Sequence, residues 1–434
     1  MSSQAIGGLG IVILFTLLFV RVPVWASLAL VGFVGCGLVS GWQSALAITG
    51  TTPFDTASAY TLSVIPLFVL MGEVASGTRL SAELFIAAQR ILSGVRGGLS
   101  IAAIAASACF GAVCGSSVAT AATISRIALP EMRTAGYDDR LSTGSIAAGG
   151  SLGILIPPSI ILVIYASIAE QSVPKLFAAA LIPGLVLTAL YALVAMVMVR
   201  IKSDYAPAPK SVPLREKLTA LSGPWQFIAL FVVSIGGIYA GIFSPTEAAA
   251  VGAFGAIAIG VLGRRIGGKK LLGSIETSVV TSGLLFVIVI GANLFSTFIV
   301  QTHLPEVFIN FAKSWSLPPL VVMGLIIVAY IVMGCFLEGI GMVLITVPVF
   351  LPIVMSYGYD PVWFSIIVVI VVELGLIHPP VGMNLFVIQA QAPDVRLVDV
   401  YRGILPFLVA PFALIVLLFI FPDIALWLPK YLYR

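Results

Sequence analysis

Leu152-Gly153-Ile154-Leu155-Ile156-Pro157-Pro158 recurs 222 positions on as Leu374-Gly375-Leu376-Ile377-His378-Pro379-Pro380, and each copy lies inside an apolar stretch. A Pro-Pro pair removes backbone donors and clashes with the preceding turn. The residue before a proline is also pushed out of the α region. Each copy is therefore expected to unwind a helix at membrane depth. Unwound backbone does not face lipid; it is buried in protein or lines a wet cavity.

The composition around these runs is that of an all-α polytopic membrane protein. The chain has 434 residues, 60% hydrophobic and 9% charged, with mean hydropathy +1.15. A soluble domain carries roughly 25% charged residues. Stretches of about 20 apolar residues give ten candidate spans, near 5–20, 22–41, 60–77, 143–170, 175–200, 225–243, 245–263, 278–300, 361–391 and 403–422. Two further apolar regions, 97–134 and 318–356, have polar or glycine-rich midpoints. They read as re-entrant hairpins that enter and leave on one side. Met1–Arg21 lacks a basic n-region and reads as a first span, not a cleaved leader. Cys36, Cys109, Cys114 and Cys335 have no metal-ligand spacing and read as packed thiols.

The basic residues test the topology. With a periplasmic N-terminus the cytoplasmic side receives 18 of them, including Arg21, the set from Arg79 to Arg140, the set from Arg200 to Lys217, the four from Arg264 to Lys270, Arg396 and Arg402. The other side keeps four: Lys175, Lys313, Lys430 and Arg434. That bias orients the chain, and it holds only if the two hairpins do not cross.

More landmarks repeat. Pro23 and Pro245 each open a span and are also 222 apart, and Leu67-Phe68-Val69 echoes Leu285-Phe286-Val287. In both halves 27 positions separate the hairpin's last proline (Pro130, Pro352) from the first proline of the break (Pro157, Pro379). The polar stretch Lys202–Gly223, with Pro207, Pro209 and Pro213, reads as a joint. The expectation is one repeat over 1–201, a cytoplasmic linker over 202–223 and a second repeat over 224–434. Each repeat has five spans and one hairpin, and an odd number of crossings inverts the second. Paired breaks in an inverted repeat are the sequence sign of a secondary transporter's binding site. The first hairpin enters from the cytoplasm, the second from the periplasm, and their tips meet the breaks near the midplane.

The first tip is Gly115-Ser116-Ser117-Val118-Ala119-Thr120. Small residues allow close backbone approach, and the helix that starts there points N–H groups and a positive dipole end at the tip, suited to an anion. Ser116, Ser117, Thr120, Pro158, Ser159 and Asn384 are the candidate substrate contacts. Freed carbonyls and hydroxyls suit a hard cation such as Na+. The candidate Na+ positions are Gly115, Ser116, Gly153 and Pro157 in the first half, and Glu338, Gly339, Pro379 and Gly382 in the second. Glu338 stands in a long apolar hairpin with no basic residue within ten positions, and a buried carboxylate needs a partner or a cation. His378 replaces Ile156 of the first copy and reads as a hydrogen-bonding group more than a proton carrier. Glu373 directly precedes the second break and is a further candidate. Glu73, six residues from Arg79, reads as interfacial, and Glu247 as a helix-start acid.

Enzymatic readings are weak. Gly149-Gly150-Ser151-Leu152-Gly153 matches the nucleophile pattern of serine hydrolases, but no strand precedes it and only His303 and His378 exist as bases. No phosphate loop of the Gly-Lys-Ser/Thr kind occurs, so this chain does not hydrolyse ATP to drive transport. Nothing points to a nucleic-acid partner.

Gly111-Ala112-Val113-Cys114-Gly115-Ser116-Ser117-Val118-Ala119-Thr120-Ala121-Ala122 through Pro130-Glu131-Met132 resembles the large membrane subunit of tripartite ATP-independent periplasmic (TRAP) transporters. So do Gly150 through Ser159, Phe243-Ser244-Pro245-Thr246-Glu247-Ala248-Ala249, and the second Pro-Pro run through Asn384. The resemblance covers almost the whole chain. It implies Na+-driven uptake of a small organic acid across the bacterial inner membrane by an elevator mechanism. It also implies a small membrane subunit and a periplasmic binding protein as partners, with no covalent cofactor. An Asp is frequent in the family's second tip, where this chain has Glu338, and the longer arm alters the ion geometry. The alternative is a binding-protein-independent carboxylate transporter of a related inverted-repeat type, coupled to Na+ or H+; a passive channel or membrane scaffold is a third reading.

Overall fold

The computed structural model describes residues 2–78, 80–209 and 211–433. Arg79, Lys210 and Arg434, which enter the charge count above, lie outside the described residues. Helices account for every regular element among the described residues. Tyr60–Gly77, Val173–Ile201, Pro245–Leu262, Gly268–Gln301, Gly339–Ser356 and Leu397–Ile420 are long and apolar enough to cross a membrane. Leu214–Ala220 with Trp225–Tyr239, bent by 46°, makes a seventh if taken as one. Ser3–Phe19, Val24–Ser40, Gly98–Cys114, Pro319–Gly334 and Pro361–Ile377 are shorter and equally apolar. The chain is a polytopic helical membrane protein.

The local reasons for these elements are ordinary. Ser2 caps Ser3–Phe19 by accepting from the Ala5 N–H. Pro245–Leu262 opens on a capping box: the Glu247 N–H donates to Ser244 Oγ at 3.3 Å and the Ser244 N–H to Glu247 Oε2 at 2.8 Å. Glu247 thus has the helix-start role expected of it. Pro361–Ile377 is apolar on every face apart from Ser365 and Glu373, and every residue from Val362 to Ile377 is buried, as expected of a helix without a polar face. It runs through the middle of the molecule.

Each Pro-Pro run interrupts a helix. Asp139–Ser151 ends in a 3-10 turn, Leu152–Ile154, and helix resumes as Ile160–Ile168. Pro361–Ile377 stops at His378, whose backbone is extended, and resumes as Met383–Gln391. The Pro157–Pro158 and Pro379–Pro380 bonds are cis. The region 97–134 is a pair of helices, Gly98–Cys114 and Ser117–Thr134, joined at Gly115-Ser116. The region 318–356 is a second pair, Pro319–Gly334 and Gly339–Ser356.

Other elements lie outside the expected spans. Trp42–Ser58 is helical although it carries Pro53 and Asp55. Leu80–Ile91 and Leu304–Ser314 are short helices leading into the two pairs, and Asp423–Leu432 closes the chain. Leu214–Ala220 forms a helical turn within the stretch read as linker. Gly268–Gln301 runs 34 residues, ten longer at its start than the span read from hydropathy.

Candidate functional site

The two helix pairs meet the two breaks backbone to backbone. A Cβ on Gly111 would stand 2.5 Å from Gly153 Cα, and one on Gly334 would stand 2.7 Å from Gly375 Cα. Cβ atoms do not approach so closely, so these crossings require glycine. They hold the first helix pair against the 3-10 turn that precedes Pro157 and the second against the last helical turn that precedes His378.

At the first tip Gly115 takes φ +64, a left-handed turn, and its N–H donates to Gly111 O at 2.8 Å. Ser116 caps Ser117–Thr134, its Oγ accepting from the Ala119 N–H. Ser116 O accepts from the Thr120 N–H at 3.0 Å and from Thr120 Oγ1 at 2.7 Å. Both lone pairs of that carbonyl are thus engaged, and Thr120 points its hydroxyl inward to the tip. Gly153 lies against this group, since a Cβ there would stand 2.8 Å from Thr120 Oγ1. The carbonyls of Pro157 and Pro158 accept no backbone hydrogen bond among the described residues. Pro158 O faces Gly115.

Across the site, Asn384 joins the second broken helix to the first tip. Its Nδ2 donates to Ser117 Oγ at 2.6 Å, and the residue is fully buried. Its Oδ1 is buried without a partner. Ser159, expected as a ligand contact, is fully buried and accepts from the Leu162 N–H, so its oxygen caps the resumed helix. In the second half Pro380 O accepts from the Tyr401 hydroxyl at 2.6 Å, while Pro379 O accepts no backbone hydrogen bond among the described residues. Gly382 takes φ +60 and lies close to His378 O. His378 Nδ1 is buried without a partner.

A cavity of about 200 Å³ lies between these parts. It is below the roughly 300–1,000 Å³ of drug-sized pockets, a size for a small solute. Four helices start on its wall: Ser117–Thr134 with Ser117, Val118 and Ala119, Ile160–Ile168 with Ile160 and Ile161, Gly339–Ser356 with Gly339 and Ile340, and Met383–Gln391 with Met383. Gly115, Ser116 and Glu338 also line it. Thr120, Gly153, Pro157, Pro158, Ser159, Pro379, Gly382 and Asn384 stand outside its lining, as the support of the tips and breaks.

The rest of the lining includes Glu73, which reads as interfacial in the sequence and instead lines the cavity. Val69 and Glu73 come from Val64–Gly77, and Thr281 and Leu285 from Gly268–Gln301. The signal was present: Glu73 is an acid inside an apolar span, and Val69 and Leu285 belong to the echoed Leu-Phe-Val tripeptides. Glu338 precedes the first turn of Gly339–Ser356, is half-buried, and forms no ion pair among the described residues. It also borders a second, apolar cavity of about 510 Å³ lined by Phe15, Leu18, Phe19 and Phe336.

The model of the tripartite ATP-independent periplasmic transporter family, DctM component, matches residues 11–424. The C4-dicarboxylate TRAP transporter large permease protein DctM of Pseudomonas aeruginosa is 36% identical over 383 residues, covering 87% of this chain and 88% of that protein. The sialic acid TRAP transporter large permease protein SiaM of Vibrio cholerae is 30% identical over 416 residues, covering 94% and 97%. Among solved structures, the Alcanivorax borkumensis YdaH transporter superposes with a TM-score of 0.62 at 13% identity, over 90% of this chain and 89% of that one. Neisseria gonorrhoeae MtrF gives 0.54 at 18%, over 88% and 85%; both likenesses concern the fold alone. With a family match that runs nearly end to end and relatives aligned over most of their own length, the chain belongs to the DctM component, the large permease subunit, of the tripartite ATP-independent periplasmic transporters.

Proposed function

We propose that this chain couples the inward movement of Na+ to uptake of a small organic acid across the bacterial inner membrane. A periplasmic binding protein delivers the substrate, and a small membrane subunit accompanies the permease. The observation that carries the reading is the convergence of four helix starts on one cavity. Serine caps take one N–H each at Ser117–Thr134 and Ile160–Ile168; the remaining first-turn N–H groups and roughly half a positive charge at each start suit the wall to a carboxylate. The same cavity holds Glu73 and Glu338. These carboxylates repel an anionic substrate until cations neutralise them, which ties substrate binding to cation binding. The unengaged carbonyls of Pro157 and Pro158 at the first break, and of Pro379 at the second, supply oxygen for such ions. Relatives named for C4-dicarboxylates and sialic acid, both carboxylates, support the class of cargo.

In this reading 1–201 and 224–434 are inverted repeats joined by 202–223, with the N-terminus periplasmic. The two helix pairs are re-entrant, and with the two broken helices they form a body that moves as an elevator against the remaining helices. The test is reconstitution in proteoliposomes with the small subunit and the partner binding protein. Uptake that requires both a Na+ gradient and the binding protein supports the proposal. Uptake by this chain without the binding protein, or flux indifferent to the gradient, refutes it. Glu338→Gln is expected to change the dependence on Na+ far more than the yield of folded protein; an unchanged Na+ dependence removes Glu338 from the ion-binding set.

A further inference from the structure

Glu373 is a buried acid that the cavity does not use. It lies on Pro361–Ile377, two positions before the Gly375 crossing, and none of its surface is exposed. Both carboxylate oxygens are buried without a hydrogen-bond partner among the described residues. Among the described residues no Arg, Lys or His nitrogen stands within ion-pair distance of it. The Leu155 backbone amide of the first break lies beside it, and Tyr191 of Val173–Ile201 is near enough to feel its charge. Neither closes a hydrogen bond to the carboxyl. The Leu155 N–H is bonded to Leu152 O at 3.2 Å, and the Tyr191 hydroxyl lies 3.2 Å from Ser151 Oγ. Ser151 stands 222 positions before Glu373. The first half therefore places a neutral, hydrogen-bonded hydroxyl where the second places an acid.

A carboxylate buried in protein with no protein donor and no counter-charge is strongly unfavourable, and removing or neutralising the charge relieves it. An acid kept in such a place, at the joint between the two breaks, calls for a neutralising ion. We propose that Glu373 is a binding position for one small monovalent cation, a proton or Na+, behind the two breaks and separate from the cavity. The paired hydroxyls of Tyr191 and Ser151 are candidates for completing it. The position is additional to Glu338 and the freed carbonyls, and it does not depend on which substrate is carried.

The test is infrared difference spectroscopy on the purified full chain in nanodiscs, comparing the natural protein with Glu373→Gln. A protonated-acid carbonyl band present in the natural protein, shifted in heavy water and absent from the variant, identifies the proton. A carboxylate band assigned to Glu373 that moves when Na+ is exchanged for choline identifies Na+. A carboxylate band insensitive to both the cation and pH overturns the proposal. Should Glu373→Gln not fold, Glu373→Asp and Tyr191→Phe supply the assignment, because each must displace the same band; a spectrum unchanged by both also overturns it. These outcomes are read without transport, so they stand apart from the fate of the Na+-coupled uptake proposal.

Discussion

The hydrogen bond from Asn384 Nδ2 to Ser117 Oγ links the two halves across the site at 2.6 Å, with Asn384 fully buried. Among the described residues, Ser117→Ala removes the one partner of an amide whose Oδ1 has none. Leaving a buried polar group unpaired costs about 1–3 kcal/mol in proteins generally. Interhelical hydrogen bonds in membranes average about 0.6 kcal/mol and reach about 1.7. Full burial and short length put this one near the upper membrane value, about 1.5 kcal/mol, roughly tenfold in the unfolding equilibrium. Asn384→Leu removes the amide altogether, so the double variant is expected to lose less than the two single losses combined. The assay is a double-mutant cycle on detergent-driven unfolding, with uptake measured in parallel. Additivity within about 0.3–0.5 kcal/mol would refute the reasoning, because independent sites behave that way.

Two further outcomes are expected. Gly334→Ala drives a Cβ to within 2.7 Å of Gly375 Cα, an overpacking worth about 1–3 kcal/mol, whereas Gly324→Ala on the same helix meets nothing within 4 Å and should be neutral or gain up to about 1 kcal/mol of helix propensity; equal thermal shifts for the two contradict the crossing. In the loop before Leu397–Ile404, hydrogen bonding to the Arg133 guanidinium holds Asp394 below its ordinary 3.8. Its contribution is therefore complete above that ordinary value and is lost as pH falls through the lowered one. Hydrogen exchange over 392–396 should quicken in acid, and Asp394→Asn should quicken it at neutral pH; unchanged exchange in the variant would show that the contact does not tether the loop.

The features legible in the sequence were those with local causes. Pro157-Pro158 and Pro379-Pro380 break helices through their own chemistry, and Gly115-Ser116 marks a turn because a left-handed glycine and an N-cap serine are local devices. What escaped notice depended on distant partners. Glu73 reaches the cavity because Val64–Gly77 faces a tip some forty residues on and Thr281 some two hundred residues on. Ser159 follows the first break directly, which makes it a candidate contact in the sequence; its hydroxyl also caps the resumed helix. Trp42–Ser58 was passed over because Gln43, Thr49, Thr51, Thr52 and Asp55 dilute its hydropathy while leaving it able to form a helix. The linker turn Leu214–Ala220 was hidden by the prolines that precede it.

The four helix starts on the cavity wall have a consequence for how such a protein can change. A backbone N–H is the same atom whichever side chain its residue carries. Recognition of negative charge by helix ends therefore survives drift at Val118, Ile160, Ile340 or Met383, provided the helices still begin where they do. On the proposed function, the cavity is strict about charge and lenient about the rest of the molecule that bears it. On the same proposal, new cargo can be admitted by trimming lining side chains at Val69, Thr281 or Leu285 while the four helix starts stay in place.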